Sequence, residues 1–390
     1  MTREDGSGVS AAAKRLHERA LVVDGCFPIH TGPLGYSEDM LRQARQMIAT
    51  GDRFSDIRQR MAVLYDKELL SGSTDLWEWW EASGATAFHT TVGRVEGGTC
   101  QEAFETAVRE IAIWQRRFDT FDALIKIVRA SDIERALEEK KPGVILGFQN
   151  STHFMGDLDH VEFFHALGIR IVQLTYNLRN RSGDGCTERS DAGLSHFGRR
   201  LVKRLNETEI LIDLSHCGEM TCQDAIEASD RPVAITHTSC KAVHDHVRAK
   251  SDDLLRSLSA ANGYAGILLV PSFLAPRQPS LAHFIDHLVH AASIMGVDKV
   301  GIGTDRGTYP REIRDVIERE KAAALAGQGV TEVGWRAGDF LIPEPEVAGY
   351  RDWRDLPKLT EAMLRRGFSE DEVRGILGLN FVRVFRDAVG

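Results

Sequence analysis

The sequence contains no long apolar run: nothing approaches the roughly 18 consecutive apolar residues of a membrane span, so no spanning helix is expected. Its first twenty residues, MTREDGSGVSAAAKRLHERA, hold no apolar core ahead of a cleavage site, so a secretory signal is not expected there either. Basic residues are not in excess. Forty-eight Lys and Arg stand against fifty-seven Asp and Glu, a formal charge of −9, which is the wrong sign for a nucleic-acid binder. No long block of like charge suggests a tail or a polybasic membrane patch. Cysteine is sparse as well. Cys26, Cys100, Cys186, Cys217, Cys222 and Cys240 form no CxxC pair and are too few for a disulfide framework, which leaves them as free thiols. The triplets Asn150-Ser151-Thr152 and Asn206-Glu207-Thr208 carry no weight as glycosylation sites without a secretion signal. Repeats and low-complexity tracts are absent. These absences leave a cytoplasmic, globular chain of 390 residues, 43% hydrophobic and 27% charged, with neither nucleic acid nor membrane as partner.

What the chain does have is alternation. Short apolar runs occur at Leu21 to Cys26, Ala85 to Val92, Gly143 to Asn150, Ile169 to Asn177, Ile210 to His216, Pro232 to Ser239, Tyr264 to Pro271 and Val300 to Asp305. Each is rich in β-branched residues and nearly continuous in hydrophobicity, as a strand buried on both faces should be. Between them lie amphipathic segments such as SLAHFIDHLVHAASIMG, with apolar residues at i, i+3 and i+4. Eight parallel strands alternating with helices is the count of an α/β fold closed as a (β/α)8 TIM barrel. An open doubly wound sheet fits less well, because no GxGxxG follows the first strand and polar residues end almost every strand. Length alone suggests two or three domains; the strand count reduces this to one barrel domain over residues 1–390, with 1–10 expected to be disordered. The surplus forms two inserts. About 58 residues separate the first two strands, including SGSTDLWEWWEASG, and a second insert runs from about Arg306 to Asp352. The Trp77, Trp79 and Trp80 cluster is read as helix packing, with a subunit contact or a lid as alternatives.

In such barrels the working groups sit at the C-terminal ends of strands. Those ends here carry Asp24 and Cys26, His89, Gln149, Tyr176, His216, His237 and Asp305. Two histidines on consecutive strands, in DLSH and ITHTS, with an aspartate ending the eighth, form a metal-site constellation suited to zinc and similar ions. A pair of hydrogen-bonded histidines without metal is the competing reading. His89, His153, His244 and His246 lie near the mouth and are read as structural.

DLSH, then ITHTS, DHVRAKSDD and VGIGTD, together with DGCTERSDAGLSHFGRRLVKRLNE and RRGFSEDEVRGILGLNFVRVF, resemble the renal or membrane dipeptidase family of the amidohydrolase superfamily, the M19 metallopeptidases. The resemblance runs from about Leu21 to Asp387. It implies a (β/α)8 barrel carrying two zinc ions that hydrolyses dipeptides or related small amides, commonly as a homodimer. It also implies that His216 and His237 hold one zinc, that Arg248 binds substrate, and that Asp305 manages the proton. The chain departs from the pattern at four positions. Cys26 and Pro28 replace the His-x-Asp pair of the first strand, Gln149 replaces the bridging glutamate, and Tyr176 replaces the histidine that polarises the scissile carbonyl.

Losing two carboxylates and one imidazole strips the site of −2 charge and three ligands, so a second ion has little to hold it. The expected site is therefore a single zinc or other divalent ion on His216 and His237, with Asp305, Gln149, water or, at longer reach, Cys26 completing the shell. Asp305 is expected as general base and then acid, Arg248 as the anchor for a substrate carboxylate, and Tyr176 as donor to the oxyanion. The bland alternatives are an Asp305 paired with Arg248 or a histidine, an Arg248 in a surface ion pair, and a Tyr176 that merely packs the mouth. The leading function is a dipeptidase-like metallohydrolase acting on a small amide, dipeptide or N-acyl amino acid. The alternatives are a metal-free barrel that binds a small ligand or partner without hydrolysing it, and altered chemistry with Cys26 as nucleophile, which requires a nearby base.

Overall fold

The structure is a computed structural model that describes residues 8–27, 36–71, 76–306, 309–331, 333–339 and 346–390. Pro28 and residues 1–7 lie outside the described residues. Ser10 is inside them: its side chain caps the helix Ala11–Arg19 by accepting from the Ala13 N–H.

All eight expected strands are present and parallel, each shorter than its apolar run. They are β1 (Val23–Asp24), β2 (Ala87–Thr91), β4 (Gly143–Phe148), β5 (Ile169–Gln173), β6 (Leu211–Asp213), β7 (Ala234–Thr238), β8 (Tyr264–Ile267) and β9 (Val300–Ile302). A two-residue strand, β3 (Ile125–Lys126), pairs with the start of β4 and has no counterpart among the apolar runs. The order is β1-β2-β4-β5-β6-β7-β8-β9. Backbone bonds bring its two ends together: the Gly25 N–H donates to Ile302 O at 2.9 Å and the Asp305 N–H to Cys26 O at 2.8 Å. The α/β barrel expected from the sequence is the observed architecture.

Side chains alternate between the barrel interior and the surrounding helices with period two. The inward layer nearest the strand starts is apolar, with Val23, Ala87, Ile145, Ile171, Leu211, Ala234 and Tyr264 packed against Phe381 and Phe385 of the last helix, Asn380–Val389. One step along, the inward positions turn polar: His89, Gln173, Asp213 and Thr236, all buried. Two glycines make room for them. A Cβ on Gly147 would lie 2.3 Å from His89 Nε2, and one on Gly303 would lie 1.9 Å from Thr236 O. Substituting either would push the polar layer, and the strand ends above it, out of place.

The two inserts pack on each other. Helices Glu38–Thr50, Phe54–Leu70 and Arg311–Gln328 share a small core of Met40, Ala44, Ile57, Met61, Tyr65, Ile313 and Val316, separate from the barrel's own. The tryptophan helix, Leu76–Ser83, instead packs on the barrel. Trp79 is buried with the Arg354 guanidinium 4.1 Å from its ring centroid, and Trp77 meets Phe121 edge-on, which is the helix-packing role.

Candidate metal centre

His216 and His237 follow or end adjacent strands, and their Nε2 atoms face each other at 3.0 Å. The surrounding hydrogen bonds assign the proton of each ring to one nitrogen. Asn177 Nδ2 donates to Val333 O at 2.7 Å, which leaves Asn177 Oδ1 to accept from His216 Nδ1 at 2.8 Å. The Thr236 hydroxyl donates to Asp213 Oδ2 at 2.9 Å, so its oxygen accepts from His237 Nδ1, also at 2.9 Å. Both imidazoles therefore spend their proton at Nδ1 and turn a lone pair inward from Nε2. Burial, followed by the positive charge of Arg248, holds both rings well below the ordinary histidine range, so neither gains a second proton near neutrality. Two lone pairs across 3.0 Å repel unless a cation lies between them. The donor set fits a divalent ion, and the Nδ1 partners are the outer-shell bonds that orient metal-binding imidazoles. Replacing Thr236 by valine keeps the shape but removes the acceptor for His237; metal affinity is expected to fall about 10–100-fold, measured by competition with a chromophoric chelator.

The strand ends opposite bring two further donors. Ligand atoms of Cys26, His237 and Asp305 all lie within 4.8 Å of one another. Cys26 Sγ donates to Asp305 Oδ1 at 3.9 Å, and Asp305 Oδ2 is 4.0 Å from His237 Nε2. Gln149 also reaches the site, but through its nitrogen: Nε2 donates to Cys26 Sγ at 3.3 Å. Asp305 sits in the left-handed region with φ 48°, strained for a residue other than glycine and fixed by its N–H bond to Cys26. Burial pushes its carboxyl up to about 7, against the pull of Arg248.

Tyr176 stacks on His216, ring centroids 3.9 Å apart at 20°. Burial, then the charge of Asp305, pushes its phenol up, so the hydroxyl remains a donor. Arg248 is wholly buried, with Nη1 bonded to Ser215 O and Nη2 to His237 O at 3.0 Å; its Nε has no partner among the described residues. The surface ion pair is thus not what Arg248 makes. Lys250, also buried, donates to Cys217 O at 2.6 Å. Of the remaining histidines, His89 bonds Gly25 O, His153 bonds Asn150 O, His244 bonds Ser272 O and His246 bonds Asp339 O, each spending a ring nitrogen on backbone.

Residues 333–339 of the second insert lie over this centre. Trp335 lies 6.3 Å from the His216 ring centroid and 5.6 Å from Phe273. Its turn is tied down by Asn177 at Val333 O and by His246 at Asp339 O. Beside it, a cavity of about 360 Å³ opens past the ends of β2, β4 and β5, lined by Arg94, Glu96, Asn150, Leu178, Arg181 and Phe197 among others. Burial pushes the Glu96 carboxyl up to about 7 from 4.5. The folded chain therefore holds this proton where the unfolded chain has lost it. The stabilisation is present in full below pH 4.5 and is lost as pH rises through about 7, by about 3 kcal/mol for such a shift. Glu96→Gln is expected to flatten that part of the stability–pH curve, measured by urea unfolding at pH 5 and pH 8.

The structure thus gathers Cys26, Gln149, Tyr176, His216, His237, Arg248 and Asp305 at one end of the barrel. Sequence reasoning missed Asn177, Thr236, Asp213 and Trp335. Asn177 ends the apolar run from Ile169, and Thr236 and Asp213 stand inside ITHTS and DLSH, where a search for a proton acceptor for each histidine would have found them. Trp335 carries no local signal.

A parallel barrel brings two histidines, an aspartate and a cysteine together beyond its strand ends, where barrels of this kind carry their working groups. Comparison with known proteins makes this specific. The chain belongs to the membrane dipeptidase family, peptidase family M19, which it matches over residues 11–325 and 311–389. It is 27% identical over 285 residues to Dipeptidase tcpJ of Claviceps purpurea; the match covers 72% of this chain and 59% of that protein's length. Among solved structures it is similar to an amidohydrolase from Pseudomonas aeruginosa (TM-score 0.75, 28% identity, 97% and 99% of the two chains). The probable dipeptidase PvdM of the same organism shares the fold at TM-score 0.72 and 16% identity over 97% of each chain. So does a metallopeptidase from Rhodobacter sphaeroides, solved with a phosphinate mimic of L-Ala-D-Ala, at TM-score 0.69 and 18% identity over 95% and 99% of the chains.

Proposed function

We propose that this protein is a dipeptidase-type hydrolase that works with one divalent ion, zinc by the chemistry of its donors, held by His216 and His237. The observation that carries the reading is the inward-facing Nε2 pair, whose lone pairs need a cation. An ion there would supply Lewis-acid polarisation and a lowered pKa for water. The chain's own groups do the rest. Asp305 accepts the proton of the attacking water at its carboxylate and passes it to the leaving amine, a task suited to a carboxyl near neutrality. Tyr176 keeps its phenolic proton and donates a hydrogen bond where negative charge develops on the carbonyl oxygen. Arg248 has an unspent N–H at Nε and grips a substrate carboxylate. Trp335 and its turn exclude water from the site, which takes a small dipeptide or N-acyl amino acid.

Six free thiols suit a reducing compartment, and we place the protein in the cytoplasm as a homodimer without nucleic-acid or membrane partners; no described helix is long and apolar enough to cross a membrane. Sedimentation of the intact chain tests the dimer. The function is tested by incubating zinc-supplemented protein with a panel of dipeptides and N-acyl amino acids. Hydrolysis that disappears in the His216→Ala, His237→Ala double variant supports the reading. Zinc-loaded protein that cleaves none of them contradicts the hydrolase, and protein that takes up no zinc favours a metal-free, ligand-binding barrel, a reading to which the two buried cations Arg248 and Lys250 beside the histidine pair lend support.

A further inference from the structure

Cys26 is clamped at the end of β1. Its N–H bonds Asp24 Oδ1 at 3.2 Å and its carbonyl accepts from the Asp305 N–H at 2.8 Å, so the side chain has little freedom to swing away. The sulfur is aimed at polar company, with the Gln149 amide nitrogen 3.3 Å on one side, the Asp305 carboxylate 3.9 Å on the other, and the His237 imidazole within the same cluster. A cysteine buried merely as a small hydrophobe sits among apolar neighbours; this one sits among metal-binding groups and faces an N–H donor. Resting on the single-ion reading of the site, we propose that Cys26 is a thiolate ligand of that ion beside His237, and that Gln149 is the amide donor that stabilises the thiolate.

Charge explains why the two residues occur together. A carboxylate at position 149 would stand 3.3 Å from a negative sulfur and repel it, whereas the amide N–H attracts it. The thiolate brings one negative charge to a site where the amide at position 149 brings none. Without an ion, burial and the Asp305 carboxylate push the thiol pKa up, so the sulfur is protonated. Binding breaks the S–H bond, forms a sulfur–metal bond and releases the proton through Asp305 or water, as metal sites on thiols do. The soft donor makes the site select zinc or cobalt over magnesium, calcium or manganese.

Cobalt(II) alone is the probe. The full-length protein loaded with cobalt is expected to show a sulfur-to-metal charge-transfer band in the near ultraviolet, lost in Cys26→Ser. Gln149→Glu is expected to weaken cobalt binding about 10–100-fold. Should Cys26→Ser fail to fold, X-ray absorption on the zinc-loaded wild type decides, since a sulfur at about 2.3 Å supports the ligation and a shell of nitrogen and oxygen alone overturns it. Cobalt uptake without the band overturns the thiolate and leaves the single-ion reading standing. A Gln149→Glu protein that takes up a second cobalt overturns the role of Gln149. No cobalt uptake at all overturns both the ligation and the reading beneath it.

Discussion

Replacing His237 by alanine is expected to leave a folded barrel with no tightly bound ion and more than about a hundredfold less amide-hydrolysing activity. The scale follows from position, because loss of an outer-shell partner costs 10–100-fold and His237 is itself a ligand. It is also the most connected residue of the centre. Its Nε2 faces His216 at 3.0 Å and Asp305 at 4.0 Å, and its Nδ1 is held by Thr236. The backbone carbonyl that Arg248 bonds is untouched by the substitution, so the packing beneath the site is retained. Circular dichroism and a thermal melt on the same preparation separate loss of chemistry from loss of fold. Activity within a few fold of wild type would remove His237 from the mechanism.

Asp305→Asn is the second large effect. Asparagine tolerates the left-handed backbone that Asp305 adopts at φ 48°, so the loop keeps its shape. The amide cannot take a proton from water or return one to an amine. A fall in kcat of about 10²–10⁴ with KM changed only a few fold is expected, as for a lost general acid–base. The ion is retained on the histidines. In the wild type the acid limb of kcat falls at or below about pH 7, where burial places the Asp305 carboxyl, since a cation alongside can only lower it. Activity is therefore lost as pH falls and the carboxyl takes up its proton. The Asp305→Asn protein should lack this limb. A variant that loses its metal instead would make Asp305 chiefly a ligand.

The barrel was legible because a strand buried on both faces writes itself as a continuous apolar run, and DLSH, ITHTS and VGIGTD mark where such runs end in polar groups. β3 was not, because two residues within TFDALIKIV are too short to show a period. Each insert was visible as surplus length, but nothing in either sequence says that Met61 of one shares a core with Ile313 of the other. The histidine pair could be picked out by its spacing. Its tautomers could not, because they depend on Asn177 being turned by Val333, 156 residues away. Gln149 illustrates the same limit. In one dimension it is a weakened ligand; in three it is an N–H aimed at a sulfur 123 residues away.

The structure also weighs against Cys26 as a nucleophile. Reactive thiols need a lowered pKa and a base or cation beside them. Cys26 has His237 and Asp305 beside it as bases, but burial and that carboxylate push its thiol up against the pull of Arg248. The same surroundings suit a ligand, because a cation reverses the balance.

The claim on which the account depends is that the two inward lone pairs of His216 and His237 hold one ion per chain. Elemental analysis after zinc reconstitution and exhaustive dialysis, on the wild type and the His216→Ala, His237→Ala double variant side by side, tests it most directly. The account predicts about one zinc per chain in the wild type and none in the variant. Two zincs per wild-type chain, or equal content in the two proteins, would contradict it.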